Sequence, residues 1–272
     1  MRKNKTSLVS VIVTTRNEER NISTCLESIR NQTYKNIEII VVDNNSIDKT
    51  TQIASNFTNL IFTQGPERSA QRNFGADVSK GDFLLFLDAD MKLSKDVVMD
   101  CVKNIEYTKA GAVIIPEESY GAGFWAKCKN LERSYYHGVD WIEAARFFDK
   151  KIFSEVGGFD KKLISGEDWD FSERVKQKSP IVRIESLIYH NEGNLTLYQT
   201  LQKKYYYSTK FSSYMKKNHD TINKTKQVNP IIRYKLFFSD YKKIISHPIV
   251  FIGMIFMKTC EFSVGFVGMY IK

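Results

Sequence analysis

At 272 residues, with 42% hydrophobic and 13% aromatic side chains, the chain can bury a large core and is not a mostly disordered polymer. The net charge is +9, but 13 Lys and Arg against three acidic residues lie from residue 200 onward, so the excess belongs to the C-terminal quarter. Four cysteines, Cys25, Cys101, Cys128 and Cys260, stand far apart with no CxxC and no metal-type pairing with histidine, which favours reduced thiols over a disulfide framework.

The start, "MRKNKTSLVSVIVTT", is charged, and its apolar run is too short for a secretory leader. Residues 8–15 read instead as a buried strand rich in β-branched residues. Asn17 can cap the helix that follows, in which Ile22, Cys25, Leu26 and Ile29 recur at helical spacing. "IEIIVVD" (37–43) is a second strand ending on an acid, and "NLIFTQ" (59–64) a third. "RSAQRNFGADVS" reads as a helix closed by Gly81, and "DFLLFLDAD" as the fourth strand. Strands alternating with helices at this rhythm predict an α/β fold with a mostly parallel sheet between helices. "AGAVIIP" (110–116) continues the strands, after which the alternation weakens. Gly121 and Gly123 read as loop, Phe124 to Trp141 as an aromatic-rich helical stretch, and 180–190 as one strand. From about residue 196 the pattern is helical, basic and tyrosine-rich.

In a parallel α/β sheet, ligands bind beyond the C-terminal strand ends. The polar residues there are Thr14, Thr15, Asp43, Asp88 and Asp90, which should line one site. The fourth strand is read as extended through "DAD", so Asp88 and Asp90 face one side and can converge on a cation. Two oxygen donors with water in the remaining positions suit Mg²⁺ or Mn²⁺. An Asp-rich solvated turn is the plain alternative, since such a tripeptide is common by chance. Asp43 alone could equally be a strand-ending turn residue.

Four segments in order, "VIVTTRNEERNISTCLESI", "IEIIVVDNNSIDKT", "RNFGADVSKGDFLLFLDAD" and "VGGFDKKLISGEDWDFSERV", resemble the family 2 glycosyltransferases over roughly residues 8–192. The resemblance implies a GT-A fold and sugar transfer from a nucleotide-diphosphate donor with inversion. It implies that Thr14 and Arg16 lie against the nucleotide, that Asp43 meets the base, and that Arg68 or Arg72 contacts the nucleotide or its diphosphate. Asp88 would face ribose and metal, and Asp90 would bind a Mn²⁺ or Mg²⁺ ion directly. Arg16 stands where the family usually has an aromatic residue, although a guanidinium plane can also stack. In "GEDWD" the resemblance makes Asp168 the base that takes the acceptor's proton, with Glu167 and Trp169 on the acceptor side. The plain alternative is acidic charge at a helix N-terminus. His190 falls where this fold often supplies a third metal ligand.

These readings divide the chain into a catalytic domain at 1–195, with a nucleotide-sugar half to about 115 and an acceptor half at 116–195, and a helical region at 196–272. Residues 201–217 mix lysine with tyrosine, a pattern that also suits single-stranded nucleic acid. The last segment, however, is the most apolar of the protein, and its two runs of about ten residues around Lys258 and Glu261 are short for a spanning helix. A helix lying in the interface of an anionic membrane is therefore expected, with a core helix as the alternative and no nucleic-acid partner. That placement, peripheral on the cytoplasmic face of the cell membrane, makes a lipid-linked glycan or polyprenyl phosphate an attractive acceptor. Competing readings are a non-catalytic protein of the same fold and a nucleic-acid binder. No GxGxxG follows the first strand, which argues against a dinucleotide oxidoreductase.

Overall fold

The computed structural model describes residues 6–217 and 222–270. The chain divides into two units: one holds residues up to Pro116, Ala144–Lys161 and Asp168–Tyr189, the other Glu117–Glu143, Lys162–Glu167 and the chain from His190. The first opens with β1 (Val9–Thr15), α1 (Ile22–Arg30), β2 (Ile37–Asp43), α2 (Thr50–Ala54), β3 (Ile61–Thr63), α3 (Arg68–Val78) and β4 (Phe83–Asp88). A turn leads to β5 (Met91–Leu93), α4 (Val97–Thr108) and β6 (Ala112–Ile114). The chain then enters the second unit for β7 (Glu117–Ala122) and α5 (Gly123–Ser134). It returns for β8 (Ala145–Asp149), α6 (Lys150–Val156), α7 (Glu167–Lys176) and β9 (Ile181–Arg183). Last come β10 (Ile188–Asn194), α8 (Leu197–Lys217), α9 (Ile222–Val228), α10 (Pro230–Phe237), α11 (Tyr241–Ser246) and α12 (Pro248–Tyr270).

The first unit is built on a seven-stranded sheet in the order β3-β2-β1-β4-β8-β6-β9. β1 pairs parallel with β2 and β4, β2 with β3, and β6 with β9. Only β8 runs antiparallel, to β4 and β6, after the excursion through residues 117–143. Side chains alternate across the pleat, so one sequence feeds two cores. Val9, Val11 and Val13 join Leu85 and Leu87 and the α1 and α4 side chains on one face. Ile12, Leu84 and Phe86 pack with Ala76, Phe153 and Phe171 on the other. A strand buried on both faces must be mostly apolar, which explains the runs Val11–Val13 in β1 and Phe83–Leu87 in β4; the buried Ser10 in β1 is satisfied by Glu38.

The strand order reverses between β1 and β4. α1 and α2 carry the chain outward to β3, and α3 carries it back to the far side of β1. That reversal leaves a crevice at the strand ends, where ligands bind in open α/β sheets. The register places Thr14 beside Asp88 and Thr15 beside Asp43.

Several local expectations are corrected. α1 begins at Ile22, so Asn17 does not cap it; Asn17 is left-handed, with φ 55°. α3 ends at Val78, short of Gly81. Gly121 lies in β7 and Gly123 opens α5, which stops at Ser134. Residues 180–190 form two short strands, not one.

In the second unit β7 pairs with β10, and α12 packs against α5 and α8. Its core joins Cys128, Tyr135, Phe237, Phe251, Met254 and Met257. Gly253 permits the α5 approach, because a Cβ there would lie 2.4 Å from the Phe124 ring. All four cysteines are free thiols, as their spacing suggested.

Candidate active site

Asp88 closes β4 and is surrounded by groups that favour its anion. Thr14 Oγ1 donates to Asp88 Oδ1 at 2.9 Å. Arg72, fully buried, places Nη2 3.2 Å from the same oxygen. Arg68 Nη1 lies 3.8 Å and Arg146 Nη1 4.0 Å from Asp88 Oδ2. Arg68 and Arg72 share a face of α3 through their i,i+4 spacing. Burial acts to raise the Asp88 pKa, but the Arg72, Arg68 and Arg146 guanidiniums outweigh it and hold the carboxyl well below its usual range.

Arg72 also reaches Asp168. Its Nη1 lies 2.5 Å from Asp168 Oδ1, so one guanidinium joins Asp88 and Asp168 across 80 residues of sequence. The Asp168 side chain is 32% exposed, which leaves it accessible to an acceptor. Local structure fixes it there. Arg174 in α7 pairs with Asp170 at 2.9 Å and donates to the carbonyls of Val156 and Gly158, both at 2.8 Å. Gly158 has φ 67°, and a Cβ there would lie 2.7 Å from Asn73 Oδ1. Asn73 in turn brackets Phe159, accepting from its N–H and donating to its carbonyl, both at 2.8 Å. The Phe159 ring supports the Arg72 guanidinium, 5.2 Å from the centroid, and packs on Phe171 of α7. "RNFGA", "VGGFD" and "GEDWD" are thus one positioning device.

At the end of β2, Asp43 is buried and accepts from Ser46, from N–H at 2.8 Å and Oγ at 2.5 Å. Asn17 N–H donates to Ser46 Oγ at 2.8 Å, and Asn17 Oδ1 accepts from Ile47 N–H at 2.9 Å. Glu18 N–H donates to Thr50 Oγ1 at 2.7 Å. Asn17 therefore latches the loop after β1 to the loop after β2 rather than capping α1. Gln71 ties the strands themselves, donating to the carbonyls of Thr15 and Val42 at 3.1 and 2.7 Å. Arg16 follows Thr15 and is exposed.

Strand alternation does not align Asp90 with Asp88. β4 ends at Asp88, and Asp90 belongs to the turn before β5. Cys25 lies beneath this turn, its Sγ 3.9 Å from the Asp88 carbonyl. Burial, then the charges of Asp90, Asp88 and Glu18, push its thiol well up, so it stays protonated and structural. Trp169 is half-buried in the first unit.

Glu167 and His190 belong to the second unit. Glu167 is buried, and it follows Gly166, whose φ of 80° lets the backbone pass the Tyr214 ring. His190 Nδ1 lies 3.1 Å from Glu192 Oε1, which also accepts from Ser119 Oγ at 2.7 Å. Burial would raise the Glu192 pKa, but the His190 hydrogen bond and charge, with Lys129 and Ser119, hold it well below its usual range. Among the described residues, no three or more His, Cys, Asp or Glu side chains form a group ready to hold a metal.

Sequence reasoning missed Arg146, Asn73, Gln71, Arg174 and Glu192. Asn73 and Arg174 sat inside quoted segments but carried no chemistry of their own to mark them. Arg146 stands alone in "AARFFD", with no signal short of knowing that β8 runs beside β4.

This is a GT-A fold, and residues 10–159, more than half the chain, match the profile described as glycosyl transferase family 2. The chain belongs to that family. Glycosyltransferase AglE of Haloferax volcanii is 30% identical over 185 residues, 61% of this chain and 60% of the relative. A Campylobacter jejuni relative, GalNAc(5)-diNAcBac-PP-undecaprenol beta-1,3-glucosyltransferase, is 38% identical over 95 residues, 31% of this chain and 30% of its own. The chain therefore spans less than two thirds of the length of either. Among solved structures, mannosyltransferase PcManGT from Pyrobaculum calidifontis, in complex with GDP-Man and Mn2+, superposes with TM-score 0.66 at 14% identity. That match covers 99% of this chain and 89% of the neighbour.

Proposed function

We propose that the protein is an inverting glycosyltransferase that moves a sugar from a nucleotide-diphosphate donor to a hydroxyl acceptor. The observation that carries this is Arg72, which joins Asp88 at the strand-end crevice to Asp168 at the start of α7. The acceptor oxygen attacks the anomeric carbon, the bond from that carbon to the diphosphate oxygen breaks, and Asp168 takes the acceptor's proton. Attack opposite the departing diphosphate inverts the anomeric centre. Arg72 holds Asp168 in position, while Thr14, Arg16 and Asp43 line the nucleotide end. Arg68, Arg72 and Arg146 gather positive charge where the diphosphate develops its own negative charge.

A divalent cation, Mn²⁺ or Mg²⁺, would neutralise the leaving diphosphate when bound. Asp90 fits as its protein ligand, because Asp88 already carries three guanidinium partners. The Asp88 assignment shifts accordingly toward the ribose and the arginines. His190 pairs with Glu192 as a metal-bound imidazole ordinarily pairs with an outer carboxylate, which supports its imidazole as a candidate metal ligand. Glu167 and Trp169 would shape the acceptor end.

The first unit carries the donor contacts and the base. The undecaprenyl-diphosphate-linked glycan on which the Campylobacter relative acts supports a polyprenyl-diphosphate-linked glycan as acceptor class. On this reading the chain works at the cytoplasmic face of the cell membrane. The test is transfer by purified protein from UDP-, GDP- and dTDP-sugars, with and without Mn²⁺ or Mg²⁺. Asp168→Asn should lose about 10²–10⁴ in turnover while retaining donor binding. Asp90→Ala should lose the cation-dependent part of donor binding. Full transfer by Asp168→Asn would remove the assigned base.

A further inference from the structure

α12 is amphipathic in the opposite sense to a surface helix. It runs 23 residues, and its only two charged residues, Lys258 and Glu261, point inward and are buried. Lys258 Nζ lies 2.8 Å from Glu132 Oε1 on α5 and also pairs with Glu261, while Lys129 Nζ lies 3.0 Å from Glu132 and 3.6 Å from Glu261. The outward stripe is Ile249, Ile252, Phe256, Phe266, Val267 and Tyr270, interrupted only by Thr259 and Ser263. These positions recur at three- and four-residue steps, one helical face, and Ile249 and Ile252 are 73% and 69% exposed. A charge-free apolar stripe of this length on a surface marks an interaction site, not a scatter of exposed residues.

We infer that this stripe lies in the interfacial region of a membrane that contains anionic lipid. The charge around it selects that occupant. Residues 222–257 contain six Lys or Arg against one acidic residue, Asp240. Lys235 and Lys242 are exposed, and Tyr241 and Ile245 of α11 continue the apolar surface, 64% and 73% exposed. A second copy would bring the same excess of positive charge to this face, whereas an anionic headgroup layer meets the lysines with opposite charge. By length and composition α12 could also cross a membrane. Its inward face is held instead by Glu132, which meets Lys258, and by the second unit's core, where Phe251, Met254 and Met257 of α12 pack with Cys128, Tyr135 and Phe237. The helix therefore lies on the bilayer, its axis in the interface plane. This inference stands independently of the sugar-transfer reading, since nothing in it requires a donor.

The test is flotation of the full chain with vesicles of phosphatidylcholine alone and of phosphatidylcholine with phosphatidylglycerol, at low and high salt. Binding should need the anionic lipid and weaken with salt. The double variant Ile252→Asn, Phe256→Asn should lower partitioning by about tenfold or more with melting temperature and sedimentation unchanged. Ile249→Asn with Phe266→Asn should repeat that loss from the two ends of the stripe. In Phe256→Trp, the indole emission should shift to the blue on vesicles and be quenched by brominated lipid. Wild-type protein that floats with neither vesicle overturns the inference. So does a double variant that floats like wild type, or a wild-type dimer that the substitutions turn into a monomer without affecting vesicle binding.

Discussion

Each unit contains a cluster in which a buried basic side chain is shared by two carboxylates, and these two clusters are built to opposite ends. In the second unit, Glu132, Glu261 and Lys258 have side chains 3%, 4% and 9% exposed, and every charge faces an opposite one. Tyr136 OH adds a hydrogen bond to Glu132. In the first unit, Arg72 is equally buried, but its partners Asp88 and Asp168 are 16% and 32% exposed. The same chemical ingredients are closed on themselves in one place and open at a sheet edge in the other. A closed network fixes helices against each other; an open one holds groups ready for a ligand. Desolvation makes both costly to disrupt, and only the open one should register in turnover.

The largest expected effect that breaks this contrast is at Arg72. Arg72→Leu removes the shared partner of Asp88 and Asp168 and should lower turnover by about 10³-fold, with a loss of stability of about 3–5 kcal/mol. Turnover measured well below the variant's melting temperature separates the two losses. At the closed cluster, Lys258→Met leaves the buried Glu132 and Glu261 with Lys129 alone between them and should also cost about 3–5 kcal/mol in denaturant unfolding. There, sugar transfer by the protein that remains folded should stay within a few-fold of wild type. A loss of turnover as deep as at Arg72 would show that the closed cluster is part of the catalytic apparatus.

A smaller effect tests the residue that sequence did not single out. Arg146→Ala leaves Asp88 paired with Arg72 and Thr14, so the fold should survive with its melting temperature almost unchanged. The donor KM should rise about tenfold with kcat nearly retained, as expected for lost charge stabilisation of a bound diphosphate. A fall in kcat at constant KM would place Arg146 in the chemical step instead.

The contrast also explains what was legible in the sequence. β1, β2 and β4 were readable because both faces are buried, and their strand-end acids followed from the architecture of parallel sheets. The alignment of Thr14 with Asp88 and Thr15 with Asp43 is a direct consequence of that register. The short or turn-bound pieces were not readable in this way. Asn17 resembled a helix cap, but its partner is Ile47 in another loop. Asp90 resembled a strand residue, but the strand stops two residues earlier. Arg146 depends on an antiparallel neighbour whose place in the sheet no local pattern reveals. In α12, apolar composition was visible, but the inward direction of Lys258 and Glu261 depends on Glu132, more than 120 residues away.

The smallest effect sharpens the closed side of the comparison through pH. Lys204 of α8 lies over α12, where a Cβ at Gly265 would be 3.1 Å from its Cε. Burial, followed by the positive charge of Lys258, pulls its pKa down to about 8, with Glu261 acting the other way. The unfolded chain keeps an ordinary lysine, near 10.4, so between about pH 8 and 10.4 it binds more protons than the folded chain. Stability therefore gains a rising contribution from Lys204 across that window, and at neutral pH its charge is an unfavourable guest. Lys204→Met should remove the rise and lift the melting temperature at pH 7 by about 2 °C. Lys258 has the opposite sign: burial lowers its pKa, but Glu132 and Glu261 prevail and raise it above the usual lysine range. Its contribution is complete below about pH 10.4 and fades only as pH climbs through that raised value. The buried thiols Cys25, Cys101 and Cys128, held protonated to higher pH in the folded chain, lower stability at the alkaline end alike in every variant. The test is therefore the difference: from pH 7 to 10 wild type should gain melting temperature relative to Lys204→Met, and Arg146→Ala should keep the wild-type slope. An equal slope in wild type and Lys204→Met would mean that the Lys204 ammonium is fully hydrated, outside the closed cluster.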